Sequence, residues 1–128
     1  MKLIDSSSWI NYLRGSDKEV QSRVEELLLT DNAAWCEIIA AELWAGVRNE
    51  TDRRRIQLLE RGAKNLTITP EVWSKAFVIA SKCRESGLSI PITDVIIAAC
   101  GIHYEVEVET CDKHFVLLKP VCNKIFSR

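Results

Sequence analysis

Short strand-like runs alternate in this chain with longer segments of helical spacing, and that alternation leaves few folds open. The strand-like runs are residues 2–5, 33–35, 65–69 and 106–109. Between them, Val20, Val24, Leu27 and Leu28 recur at the spacing of one helix face, as do Val72, Ala76, Ile79, Ala80 and Cys83. Strands joined through helices pair in parallel, and helices then cover the sheet. The expected class is α/β. In such sheets ligands bind beyond the carboxyl ends of the strands.

Local chemistry sets the expected boundaries. Ser6, Ser7 and Ser8 offer capping hydroxyls to a helix carrying Trp9, Ile10 and Leu13, stopped near Gly15. Ser16 and Glu19 form a capping-box pattern for the next helix. The segment from Glu37 to Arg48 is apolar on most of its surface, which predicts a buried helix. Thr51 is expected to cap a helix ending at Gly62, and Thr69-Pro70 to open one reaching Gly87. Thr93 is expected to cap a helix from Asp94 to His103. Val106 and Val108 alternate with Glu107 and Glu109, as in a strand with one wet face. Residues 115–128 show no clear pattern.

At 128 residues, a single domain over 1–128 is expected, large enough to bury a core without staples. Apolar content of 47% and charged content of 27% describe a globular chain. A net charge of −1 gives no global attraction to polyanions, so a nucleic-acid partner needs a local basic face or bridging metal. The five cysteines form no Cys-x-x-Cys pair and read as reduced core residues of a cytosolic protein. No signal peptide or membrane span is visible, and the expected location is the cytoplasm.

Four acids stand where apolar runs end or break: Asp5 after Lys2-Leu3-Ile4, Glu42 within 38–47, Asp94 before Val95-Ile96-Ile97, and Asp112 after the last strand. Ionised groups are rarely buried beside such segments without a partner. Two unit charges ~4 Å apart repel by about 4 kcal/mol at an effective dielectric of 20. Several such pairs rival the whole stability of a domain, about 5–15 kcal/mol. A divalent cation relieves the repulsion. Mg²⁺ and Mn²⁺ suit oxygen ligands, acidify bound water and stabilise charge on phosphate. With no Ser-His-Asp or Cys-His constellation, the acids point to phosphodiester hydrolysis. Taken singly, Asp94 is explained as a first-turn helix charge and Asp112 as a turn residue. Their joint placement carries the reading.

Other residues have plainer readings. His114 stands two positions after Asp112, but carboxylate–metal hydrolysis needs no further acid or base, so its role stays open. The four tryptophans lie in apolar segments and read as core. Arg53, Arg54, Arg55, Arg61 and Lys64 read as a solvated helix face, with an RNA-facing patch as the alternative.

Four stretches carry a family resemblance: Leu3 to Ile10, Ala41 to Val47, Ile92 to Ala99, and Thr110 to Phe115. In this order and spacing the sequence resembles PIN-domain proteins, most closely the VapC toxin ribonucleases of toxin–antitoxin pairs. The resemblance spans residue 2 to about 118 and is weakest after Phe115. It implies a PIN-like α/β/α sandwich with a short, mainly parallel sheet. It implies an Mg²⁺- or Mn²⁺-dependent endoribonuclease that cuts tRNA or rRNA and so inhibits translation. It maps Asp5, Glu42, Asp94 and Asp112 onto the family's catalytic, metal-binding acids, with Asp5 and Asp94 as direct ligands. Ser7 falls where the family carries an orienting hydroxyl, while Ser6 stands where Thr is more frequent. A VapB-type antitoxin and a homodimer are further implied. The alternatives are a non-catalytic PIN-like binding module and a phospho-accepting receiver domain. The second usually has an acidic pair where this chain has Asp5-Ser6.

Overall fold

Four short strands and seven helices make up the molecule, a computed structural model that describes residues 1–126. Strand β1 (Lys2–Ile4) leads to α1 (Ser6–Arg14) and α2 (Lys18–Leu29), then to β2 (Ala33–Trp35). Helices α3 (Glu37–Ala45) and α4 (Glu50–Gly62) lead to β3 (Lys64–Asn65). Helices α5 (Pro70–Glu85) and α6 (Ile92–His103) lead to β4 (Glu107–Glu109), and α7 (His114–Phe126) follows.

The sheet order is β3-β2-β1-β4, with every pairing parallel. From β1 the chain steps outward to β2 and β3, then crosses back over the sheet to β4 on the other side. Among the helices, α1 packs on α2 and α3, α3 on α4, and α5 on α6, the grouping that right-handed crossovers in opposite directions produce. The strand order reverses between β1 and β4. Their carboxyl ends therefore flank the crevice where such sheets bind ligands.

Packing explains the segments. Leu3 and Ile4 are fully buried, as a strand covered on both faces must be. Helix α6 is buried continuously from Asp94 to Gly101. At Gly101 an added Cβ would stand 3.1 Å from the Val106 carbonyl oxygen and 3.2 Å from Val108 Cγ2, so glycine lets α6 lie close to β4. Thr69 caps α5 by accepting the Val72 N–H, with Pro70 in the first turn, as the sequence predicts. Gly15, at φ 64°, ends α1.

Several boundaries differ from expectation, each for a local reason. The cap of α2 is Asp17, which accepts the Glu19 and Val20 N–H groups, while Ser16 bonds Asn11. The cap of α4 is Asn49, leaving Thr51 inside the helix. Pro91 opens α6 without a side-chain cap, so Thr93 is already helical. The third strand shrinks to two residues. Helix α3 stops at Ala45 and is half open, burying only Ile39 and Leu43. Glu109 is buried rather than wet, because Arg23 Nε reaches its Oε1 at 2.6 Å. Trp9 and Trp35 are core, but Trp73 is exposed beside Phe77. Cys36, Cys83 and Cys100 are buried free thiols, whereas Cys111 is exposed. Residues 114–126 form a helix despite Pro120, anchored by Leu118 and Val121.

Candidate active site

Asp5 directly follows β1, and its N–H donates to the Glu109 carbonyl at 2.9 Å, extending the β1–β4 ladder by one residue. That bond pins it at the edge where the strand order reverses. Asp5 is 2% exposed. Its Oδ1 accepts the Ser6 N–H at 2.7 Å, so Asp5 caps α1 in place of the expected serines. A carboxylate is the stronger acceptor for the orphan N–H groups at a helix start. Oδ2 accepts the hydroxyls of Ser7 and Thr110, each at 2.9 Å. Ser7 Oγ in turn accepts the Cys111 N–H at 3.0 Å. The serine run thus ties the end of β1 to the loop after β4.

Asp94 lies in the first turn of α6 and is 6% exposed. Burial raises its pKa, the charges of Asp112 and Asp5 raise it further, and His114 opposes them. Asp112 sits in the loop before α7. Its N–H donates to Thr110 Oγ1 at 2.9 Å, and its Oδ1 accepts the His114 N–H at 2.9 Å. The His114 imidazole joins the two acids, with Nδ1 3.0 Å from Asp94 Oδ2 and 2.9 Å from Asp112 Oδ1. With Nδ1 protonated, the ring donates to these carboxylates.

Glu42 stands on the open face of α3. The residue is exposed, contrary to its apolar sequence neighbours. Its carboxylate nevertheless faces the other acids. Ser6 Oγ is 3.4 Å from both Glu42 Oε1 and Asp5 Oδ1. Loss of water around the carboxylate raises the Glu42 pKa, and the charge of Asp5 adds to that rise. Ser6 lowers it, while Asp94 and Asp112 raise it by smaller amounts. The mutual repulsion inferred from sequence is therefore present across all four acids.

The donor chemistry fits a divalent cation, since the acids offer carboxylate oxygens. Ligand atoms of Asp94, Asp112 and His114 lie within 4.8 Å of one another. The sequence reading puts Asp5 and Asp94 forward as direct ligands. In the structure Asp94 groups with Asp112 and His114, and Asp5 beside them accepts hydroxyl and N–H donors on both its oxygens. Among the described residues, no Lys or Arg makes an ion pair with any of the four acids.

Residues 2–119 match the family model described as PIN domain. The chain belongs to the PIN-domain family. Ribonuclease VapC21 of Mycobacterium tuberculosis is 31% identical over 99 residues, covering 75% of this chain and 72% of that relative. VapC ribonuclease Mb1587 of Mycobacterium bovis is 28% identical over 127 residues, covering 96% of this chain and 95% of the other. The solved structure of VapBC-1 from nontypeable Haemophilus influenzae superposes with a TM-score of 0.77, at 22% identity, over 93% of this chain and 92% of that one. At that identity the likeness is one of fold, and it agrees with the parallel four-stranded sheet found here.

Two members of this PIN-domain site escape sequence reasoning. Thr110 supports both Asp5 and the Asp112 N–H, and its signal is a hydroxyl two residues before an acid at a strand end. His114, two residues after Asp112, is visible in the sequence, but its contact with Asp94 is not. No helix among the described residues is long and apolar enough to cross a membrane.

Proposed function

We propose that this PIN-domain chain is the toxin of a VapBC-type pair, an endoribonuclease that uses Mg²⁺ or Mn²⁺ to hydrolyse phosphodiester bonds in structured RNA. A tRNA or ribosomal RNA is the substrate, and its cleavage inhibits translation. The observation that carries this reading is the gathering of Asp5, Glu42, Asp94 and Asp112 at the strand-order reversal, close enough to raise the pKa values of Glu42 and Asp94. Curated VapC ribonucleases with matching sequences support it.

A divalent ion held here would supply charge neutralisation at the scissile phosphate and would lower the pKa of its bound water. Asp94 and Asp112 would hold it, with Asp5 and Glu42 directly or through water. Ser7 and Thr110 fix the Asp5 carboxylate, which limits its reorganisation when charge shifts at the phosphate. Glu42 stands at the open rim, where Ser6 Oγ links it to Asp5. The chain works as one domain in the cytoplasm, forms a homodimer, and is held inactive by a VapB-type antitoxin.

Purified protein is incubated with total tRNA and ribosomal RNA, with Mg²⁺, Mn²⁺ or chelator. Cleavage that needs the ion and is lost in Asp94→Asn is the expected result. Induction without antitoxin should arrest growth, and Asp94→Asn should relieve the arrest. Equal toxicity from Asp94→Asn would show that hydrolysis is not the cause. A non-catalytic binding module would then be the better reading.

A further inference from the structure

A groove of about 450 Å³ lies between α1, α3 and α4, and Glu42 belongs to its lining. The acidic centre and the groove therefore share a wall. Three arginines line it: Arg14 from the last turn of α1, Arg48 from the link between α3 and α4, and Arg55 from α4. None of the three forms an ion pair among the described residues. Arg55 Nη1 is steadied by the Leu13 carbonyl at 3.2 Å. The acid on this wall besides Glu42 is Asp52, whose Oδ2 accepts the Arg48 backbone N–H at 3.2 Å. Arg53 and Arg54, next in sequence, turn instead to Glu50 at 3.9 and 3.5 Å and do not line the groove.

We propose that this groove is the phosphate-binding track of the substrate, with Arg14, Arg48 and Arg55 contacting backbone phosphates of an RNA strand that leaves the acidic centre past Glu42. The inference rests on the ribonuclease reading above. A chain of net charge −1 with four clustered acids repels a polyanion at the cutting site. Attraction must come from local cations. Here three guanidiniums without an ion pair among the described residues line the groove that Glu42 also lines, and their forked donors match phosphate geometry. All three arginines are exposed, so their attraction for phosphate is open to screening by salt.

The test measures binding of fluorescein-labelled oligouridylate to metal-free Asp94→Asn protein across a series of salt concentrations. Removing one cation that pairs with a phosphate of a single strand reduces the log–log salt slope by about 0.7. The Arg14→Gln/Arg48→Gln/Arg55→Gln protein should lose about 2 from that slope. Arg14→Gln/Arg48→Gln should lose about 1.4, and it keeps Arg55 on Leu13 should the triple variant melt early. Arg53→Gln/Arg54→Gln should keep the full slope. An unchanged slope in the first two proteins, or an equal loss in the third, overturns the assignment. So does a full RNA slope combined with failure to capture a co-expressed antitoxin, which would make the groove a protein-docking site. Failure of the ribonuclease reading is separable, because it shows as no cleavage by metal-loaded wild type.

Discussion

His114 Nδ1 stands 3.0 Å from Asp94 Oδ2, so a helix that begins just after the fourth acid reaches back to the third. This imidazole lies within hydrogen-bond distance of both Asp94 and Asp112. Asp94 and Asp112 would hold a cation whose charge would serve them in place of this donor. His114→Ala should lower the metal-free melting temperature by a few degrees, corresponding to a loss of about 1 kcal/mol. The rise on adding Mg²⁺ should exceed that of wild type, because no donor competes for the acids. A smaller rise than wild type would show that the imidazole is itself a ligand.

Asp94→Asn should melt higher than wild type in chelator at neutral pH. The Asp94 pKa is raised in the folded state, so its protonated form favours folding. That contribution is complete below the unfolded value, ~3.9, and is lost as pH rises through the higher folded value. The difference between Asp94→Asn and wild type should therefore grow from about pH 4 upward and then level off. Saturating Mg²⁺ should reverse the order, since the ion requires ionised ligands. Thermal melts in matched buffers decide it, and a difference that shrinks with rising pH would contradict the sign.

Ser7→Ala and Thr110→Val each remove one hydroxyl from a carboxylate that is 2% exposed. Each should destabilise the protein by about 1–3 kcal/mol. Loss of this support should also weaken metal affinity by roughly 10–100-fold. Calorimetric titration with Mn²⁺ reads the second effect separately from the melt. Undiminished affinity in both variants would mean that the hydroxyls serve only the fold.

Arg23→Ala should leave Glu109 in β4 buried without its cation. Because the Arg23 side chain is 47% exposed, the loss is about 1–2 kcal/mol, less than for a fully buried pair. Adding Glu109→Leu should recover most of it. Denaturant midpoints for the single and double variants measure this, and a double variant no better than Arg23→Ala would rule the explanation out.

The acids were legible in the sequence because each sits at a change of pattern, and the strand ends are where such changes occur. Strands β1 and β2 and the start of α5 were legible for a related reason: Leu3-Ile4 and Thr69-Pro70 act through local chemistry alone. What stayed hidden depended on partners distant in sequence. Glu109 looks solvated until Arg23 arrives from α2. The exposure of Glu42 follows from what packs on α3, not from its neighbours along the chain. Asp5 outcompetes three serines as a cap because β1 delivers its carboxylate to the helix start. His114 could not be placed without knowing that α6 and α7 begin at one edge.

The bond from Thr110 to Asp5 spans 105 positions. A chain growing from a ribosome makes β1 first and its neighbour β4 only after α6, so the central strand stays half paired through most of synthesis. Non-local pairings of this kind form slowly, since loop closure precedes any compensating interaction. A nascent chain that has not reached Asp112 lacks one acid of the set, and Asp5 lacks its second hydroxyl until Thr110 emerges. The centre is therefore completed by contacts that join the two ends of the fold.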